Sequence, residues 1–575
     1  MDMGARIERF LARFGRICGK TGRFRAFRAR GLSRFLLPLI GLASLIWFVI
    51  RVAPKPSRAA YPCMRAAAPL ASGFLVWLAG IPILSLAAGK LKKALRRGWI
   101  IGVAIVGLAA GGMLWSAGRA QGPSFPDAVV EAPNRPMGKA QGIFPGRVVW
   151  AWNPEATNEN CTNRPGDGWF LPRNTNQPVI DGMLSDGLRS LTGKKTDAEA
   201  WNAIFRFHNG GAGYSRGQKF FIKINATSAW SGNFNPYDLS VVSNNYYGVA
   251  ETSPAIVLSV LRQLVNVFGI SQADIFIGDP MKHIYSHSYD LWHAEFPGVH
   301  YMDNSYDTLG REKVQFTPLP VIFYSDRGTV MRAGTLTDSD IGGPTLNDRL
   351  CTLFQTCDYV INIPAMKGHK RAGVTMFAKN NFGSNSRENA AHLHGGLVNP
   401  TENNPSRQGY GLYRVQVDLM GDALLGGKNL FCLMDALFAG PEAVYPPTKW
   451  RTAPFDNDWT SSLFLSQDPV AIESVGYDFL RTEYTADTPY SWVQMKGVDD
   501  YLRQAADSSA WPKGIVYDPE NDGTPLTSLG VHEHWNNADA KQYSRNLGTG
   551  NGIELVGVEK ASFVNAGASA GAPAI

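Results

Sequence analysis

The stretch Asp358-Tyr359-Val360-Ile361-Asn362-Ile363-Pro364-Ala365-Met366-Lys367-Gly368-His369-Lys370-Arg371-Ala372-Gly373-Val374-Thr375-Met376-Phe377-Ala378-Lys379-Asn380-Asn381-Phe382-Gly383 holds the densest polar chemistry of the 575-residue chain. Its opening run, 359–363, is rich in β-branched residues and closes on Pro364, which has no N–H to offer a ladder. That predicts a strand buried on both faces. A loop of cations follows. From Gly373 to Phe382 the apolar residues Val374, Phe377 and Ala378 fall at helical spacing, with Gly383 placed as a C-cap. Strand, polar loop and helix in that order form the unit at which open α/β sheets place their sites.

The same rhythm extends to either side. Strands are predicted over 147–152, 220–225, 274–279, 321–324, 430–434 and 462–465. Helices are predicted over 181–191, 197–207, 253–268, 345–357, 415–425 and 469–481. Strands separated by helices of this length predict an α/β fold with a mostly parallel sheet covered by helices.

Within the central stretch, Val360-Ile361-Asn362-Ile363-Pro364, Lys367, His369, Gly373-Val374-Thr375, Lys379-Asn380 and Phe382-Gly383 resemble the signature of the bacterial and archaeal family called domain of unknown function 362. A second block, Ser466-Gln467-Asp468-Pro469-Val470-Ala471-Ile472-Glu473, is similar to that family's downstream motif. The resemblance covers residues 210–485 and implies a fold more than an activity. Some relatives carry a ferredoxin-type iron–sulfur cluster. The six cysteines here include no Cys-x-x-Cys, so no such cluster is expected. Cys351 and Cys357 are expected to be buried and inert.

A fainter resemblance is to the nickel-dependent lactate racemase family, in which a loop His and a Lys carrying a nickel-pincer nucleotide follow a buried strand, with a metal-binding His beyond. His369, Lys379 and one of His392 or His394 fall at comparable positions. That family has Gly-Gly-Arg before its Lys, where this chain has Met376-Phe377-Ala378. The resemblance implies a shared fold.

Charge is spread unevenly. Residues 1–120 carry 20 Lys and Arg against Asp2 and Glu8, and the remainder carries 36 basic and 46 acidic residues. The net charge of +8 is therefore an N-terminal property, and no nucleic-acid partner is expected of the rest. Three apolar runs, 35–53, 66–89 and 98–117, each approach the ~20 residues that a spanning helix needs. Cations before the first run and between the second and third predict a multi-pass inner-membrane protein with its large domain outside the cytoplasm. Lipid is then a partner of the basic start. The expected organisation is a basic segment 1–34, a three-helix membrane anchor 35–118, a linker 119–145, the α/β domain 146–560 and a tail 561–575.

Polar residues at strand ends define the expected site, because open parallel sheets bring their carboxyl ends to one crevice. Lys379, His369 and Lys367 are the catalytic candidates. Lys223, Asn225, Asp279, Asn380, Asp435 and Asp468 are the ligand-binding ones. Asp279 and Asp468 each precede a proline and equally suit turns and helix caps. A lysine inside an apolar strand, such as Lys223, must be paired or functional when buried. His392 and His394, two apart on an extended segment, are the candidate ligands of a divalent metal, and the bland alternative is a pair of surface histidines. His532 and His534 repeat that spacing and suit peripheral structure or a second metal site.

Three readings compete. One is an enzyme in which Lys379 and His369 act on a small anionic substrate or a bound cofactor. Another is a binding module that holds an anion or a metal. The third is a cell-envelope structural protein whose aromatic-rich region, 150–247, meets a partner.

Overall fold

Aliphatic and aromatic residues alternate across the strands in a way that requires cover on both sides, and two sheets with helices between and around them supply it. The computed structural model describes residues 42, 44–47, 132–230, 232–241, 246–327, 348–399 and 408–559. The chain divides into two compact units, Met1–Pro123 and Ser124–Ile575. In the second unit the strands are β1 Met137–Gly138, β2 Arg147–Trp152, β3 Phe220–Ile224, β4 Ile275–Gly278, β5 His300–Asp303, β6 Arg311–Lys313 and β7 Tyr359–Ile363. They continue with β8 Ala365–His369, β9 Gly373–Thr375, β10 Cys432–Gly440, β11 Ser462–Ser466, β12 Val531–His532 and β13 Glu554–Glu559.

The first sheet, in order β6-β5-β4-β3-β7, is parallel throughout. Phe220, Ile222, Tyr359, Ile361 and Ile363 face one apolar cluster, while Phe221 and Val360 face another. By the period of two, Lys223 and Asn362 share the face of Phe221 and Val360, and they are register partners. This face turns polar toward the carboxyl end of the sheet. The second sheet runs β13-β2-β11-β10-β8-β9 and mixes parallel with antiparallel pairs.

Pro364 is where the chain changes sheet. β7 ends there and β8 begins at once, pairing with β10 of the second sheet. The expected cation loop is therefore strand at Lys367 and His369. The expected helix from Gly373 is shorter too: Gly373–Thr375 folds back on β8, with Thr375 opposite Lys367. Gly373 makes that hairpin at φ +79°, in left-handed backbone, with Val498 packed against it. Only Phe377–Asn380 is α-helical, and Asn381–Ser384 tightens to a 3₁₀ turn. The buried carboxylate of Glu473 accepts from Ala378 N at 2.7 Å, so the two sequence motifs meet at the start of this helix.

The reading of three transmembrane helices as part of the fold is corrected. Among the described residues no helix is long and apolar enough to cross a membrane. The runs 35–53, 66–89 and 98–117 lie outside the described residues, apart from the helical Leu42 and Ser44–Trp47. The fold is α/β with a parallel sheet and helices, and the multi-pass inner-membrane placement falls with the spans on which it rested.

Other expectations shift. Residues 321–324 form no ladder: Pro318 and Pro320 precede them, and Phe323 N donates to Pro519 O at 2.9 Å instead. The helix expected over 345–357 is seen as Leu353–Thr356, and 345–347 lie outside the described residues. Met137–Gly138, expected in a linker, pairs with β12.

Candidate functional site

A cleft of about 460 Å³ opens beside the carboxyl end of the parallel sheet. Asn225, Asp279, His369, Lys379, Asn380 and His394 line it among the expected residues. Lys282, Lys370, Arg371, Phe382 and Glu442 line it too.

Beneath its floor lies a buried ion pair, of which Asp279 lines the cleft and Lys223 does not. Lys223 Nζ lies 3.3 Å from Asp279 Oδ1 and donates to Asn380 Oδ1 at 3.2 Å and to the carbonyl of Ile224 at 2.7 Å. Burial pushes its pKa down, and Asp279 opposes that. Asn380 Nδ2 donates to Asn362 Oδ1 at 2.7 Å, and Asn362 Nδ2 to Asn381 Oδ1 at 3.0 Å. The strand lysine thus fixes the helix that carries Lys379. Gly383 passes directly over the pair, and a Cβ there would stand 2.3 Å from Asp279 Oδ1.

Lys367 is buried behind the wall. Its ammonium donates to Thr227 Oγ1 at 3.0 Å, to Ala443 O at 3.1 Å and to Ala250 O. Burial brings its pKa to about 8, against the attraction of Glu251 and Glu442. It holds three loops together and contributes positive potential.

Lys379 is half-buried, with Nζ 3.8 Å from the centroid of the Phe382 ring. Burial, reinforced by the charges of Lys367 and Lys282, brings its pKa down to about 7. Had a regular helix run from Gly373, Lys379 would lie on the face away from Val374 and Phe377, toward solvent. Because the α-helix lasts only one turn, Lys379 faces the cleft.

His369 and His394 lie with ring centroids 5.8 Å apart. Burial, then the Lys379 charge, lowers both well below 6.5, so both are neutral near pH 7. Their tautomers differ. His369 Nδ1 accepts from Arg371 N at 3.0 Å, which leaves its proton on Nε2. His394 Nδ1 donates to Ala390 O at 3.1 Å, which leaves the lone pair on Nε2. The cleft thus pairs a ring donor with a ring acceptor.

The other expected residues lie elsewhere. His392 and His394 sit on a 3₁₀ helix, Glu388–Gly396, and not on an extended segment. At three residues per turn, positions two apart point different ways, and His392 Nε2 pairs with Asp348 Oδ2 at 2.5 Å. Asp435 lies within β10, which runs on to Gly440, and its carboxylate accepts from Ser253 N at 2.5 Å and Leu437 N at 3.0 Å. Asp468 lies two residues past the end of β11, Ser466, and because β11 is antiparallel to β10 it emerges at the opposite edge. There it caps the helix Pro469–Glu483 through Ala471 N at 2.8 Å. A second cavity of about 300 Å³ adjoins that edge, and among its lining residues only His208 and Cys432 are ionisable side chains. The described cysteines, Cys161, Cys351, Cys357 and Cys432, are free and buried, and burial raises the thiol pKa of each.

Lys282, Lys370, Arg371 and Glu442 are the charged lining residues that strand-end reasoning passed over. Lys282 follows Asp279-Pro280-Met281 in the turn after β4. Glu442 lies just past β10, where a strand taken to 440 would have pointed. Arg371 stands inside the first motif.

Residues 241–478 match the family model described as Domain of unknown function (DUF362). The match contains both motifs and every lining residue of the cleft but Asn225, Thr227 and Trp230. It supports the family to which those motifs point. No curated protein matches the chain.

Proposed function

We propose that the cleft binds a small anion and that Lys379, with His369 and His394, performs acid–base or nucleophilic chemistry on it. The observation that carries this reading is the lining charge. Lys282, Lys370, Arg371 and Lys379 face two carboxylates, Asp279 and Glu442, and the Asp279 charge is already opposed by Lys223 beneath the floor. A concave surface with this balance concentrates an anion.

The acid–base set also supports the reading. An amine that titrates near neutrality exists in both forms at working pH, which suits a general base or a nucleophile. A neutral histidine donor and a neutral histidine acceptor beside it can move a proton without a charged imidazole at rest.

Inorganic phosphate titrated calorimetrically into the whole chain tests the binding step. Phosphate should bind, and Lys379→Met, which keeps the stem and removes the charge, should weaken it at least about tenfold. Equal affinity in mutant and parent would overturn the assignment. Native mass spectrometry of the purified chain would identify an anion carried through purification.

A further inference from the structure

A second polar cluster lies apart from the cleft, where three segments distant in sequence meet. His532 ends β12, and His534 follows two residues on in the same extended run, so both side chains leave on one side. Glu533 leaves on the other, accepting from Ile553 N at 2.5 Å and Ser544 Oγ at 2.9 Å. Asp499 precedes the helix Asp500–Ala506 without capping it through its side chain. Asp499, His532 and His534 are all buried, far from the peripheral role open to His532 and His534 in the sequence.

The rings are held from behind by the helix Pro469–Glu483. Ser474 and Asp478, one turn apart, share a face of it. Ser474 Oγ donates to Val470 O at 2.7 Å, so its oxygen accepts the Nδ1 proton of His532 at 2.8 Å. Asp478 Oδ1 accepts the Nδ1 proton of His534 at 2.8 Å, while its other oxygen accepts from Trp535 N and Tyr543 Oη, each at 3.0 Å. Both histidines therefore turn Nε2 toward Asp499.

Asp499 Oδ2 stands 3.4 Å from His534 Nε2 and 3.8 Å from His532 Nε2, and the three donor atoms lie within 4.8 Å of one another. Charge-assisted N–H···O contacts close to about 2.7–2.9 Å. The spacing here is wider: the 3.4 Å distance matches the edge of a tetrahedron of ligands, roughly 3.3 Å for bonds of about 2.0–2.1 Å, and the 3.8 Å distance is somewhat longer than that edge. Two histidines oriented by a carboxylate and a hydroxyl behind them have the second shell that metal-bound imidazoles use.

We infer that Asp499, His532 and His534 bind one divalent transition-metal ion of the zinc type. The ion ties β12, the start of the helix Asp500–Ala506 and, through Ser474 and Asp478, the helix Pro469–Glu483. Three protein ligands leave the fourth position to water, and metal binding that needs the folded arrangement adds directly to folding stability. A proton shared between His534 and the carboxylates is the competing occupant, and only the metal gives a stoichiometric ion.

The whole chain, stripped with a chelator and dialysed against Zn²⁺, should retain one zinc per chain by elemental mass spectrometry and melt at a higher temperature than the stripped form. Asp499→Asn and His534→Gln should each lose that zinc, Ser474→Ala should weaken it about tenfold to a hundredfold, and Lys379→Met should leave it unchanged. Full zinc retention in both ligand variants would overturn the site. Should those variants fail to fold, Co²⁺ in the parent chain decides. The visible bands of a four-coordinate nitrogen and oxygen site support the proposal, and their absence overturns it.

Discussion

The ammonium of Lys223 donates to Asn380 Oδ1 at 3.2 Å across a separation of 157 residues, and this contact joins the parallel sheet to the helix that presents Lys379. The same ammonium is 3.3 Å from Asp279, with both side chains buried. Removing one member of such a pair leaves the other as an uncompensated buried charge. Lys223→Met should destabilise the fold by about 3–5 kcal/mol in denaturant unfolding. Ala226 N donates to Asp279 Oδ2 at 3.1 Å, so Lys223→Met with Asp279→Asn, which keeps that acceptor, should recover more than half. A double variant no more stable than the single would refute the pairing.

Gly383 has no positive φ, so its role is the close approach to Asp279 and not backbone freedom. Gly383→Ala should cost about 1–3 kcal/mol through overpacking. In an Asp279→Ala background the added methyl meets space, and the cost should shrink. A double-mutant cycle by urea unfolding measures the difference, and additive effects would exclude the contact.

How far the site was legible follows from which local rules tertiary structure left standing. β7 was readable because its β-branched run is short, apolar and ended by proline. Lys223 was readable because a lysine inside an apolar strand needs a partner, and Asn380 because it belongs to the first motif beside Lys379. Asp435 and Asp468 misled for one shared reason: the strand-end rule presumes parallel strands of known length. β10 outruns its apparent end, and β11 runs antiparallel to it. Nothing local in the sequence records strand direction. The hairpin of β8 and β9 was hidden likewise, since Val374 and Phe377 fit helical spacing until Gly373 reverses the chain. His392 and His394 were paired on the premise of extended backbone, and the 3₁₀ turn separates them.

Asp468 is a junction for three backbone amides: Ala471 at 2.8 Å, Gln141 at 2.9 Å and Val531 at 3.1 Å. Asp468→Ala orphans all three, at about 1–3 kcal/mol for each donor that water does not reach. Thermal unfolding should show the loss, and calorimetry should show phosphate binding at parental affinity. Reduced affinity at unchanged stability would restore Asp468 to the ligand site.

His369 and His394 should be neutral and of opposite tautomer. Nitrogen-15 spectra of the imidazoles at pH 6.5, the ordinary midpoint, should place the proton on Nε2 of His369 and on Nδ1 of His394, with neither ring doubly protonated. Both pKa values are depressed on folding, so the stability these residues contribute is present above 6.5 and declines as pH falls below it. A doubly protonated ring at pH 6.5 would remove that residue from the proton-transfer set.

Lys379 gives the sharpest pH signature. Burial and the neighbouring Lys367 and Lys282 bring its pKa to about 7 in the folded chain, against 10.5 for an ordinary lysine. Between those values the unfolded chain holds a proton that the folded chain has released. Stability therefore rises with pH through this window, and below about 7 the fold bears the full cost of burying the charged amine. Lys379→Met should flatten the rise. Competitive acylation followed by peptide mass spectrometry should show Lys379 reacting as a free amine near neutrality, a pH at which an ordinary lysine side chain is protonated. Bound phosphate should raise the midpoint, because an anion beside the amine favours its charged form. The same midpoint with and without phosphate would mean that the anion sits elsewhere, and a midpoint near 10.5 would show an ordinary solvated lysine.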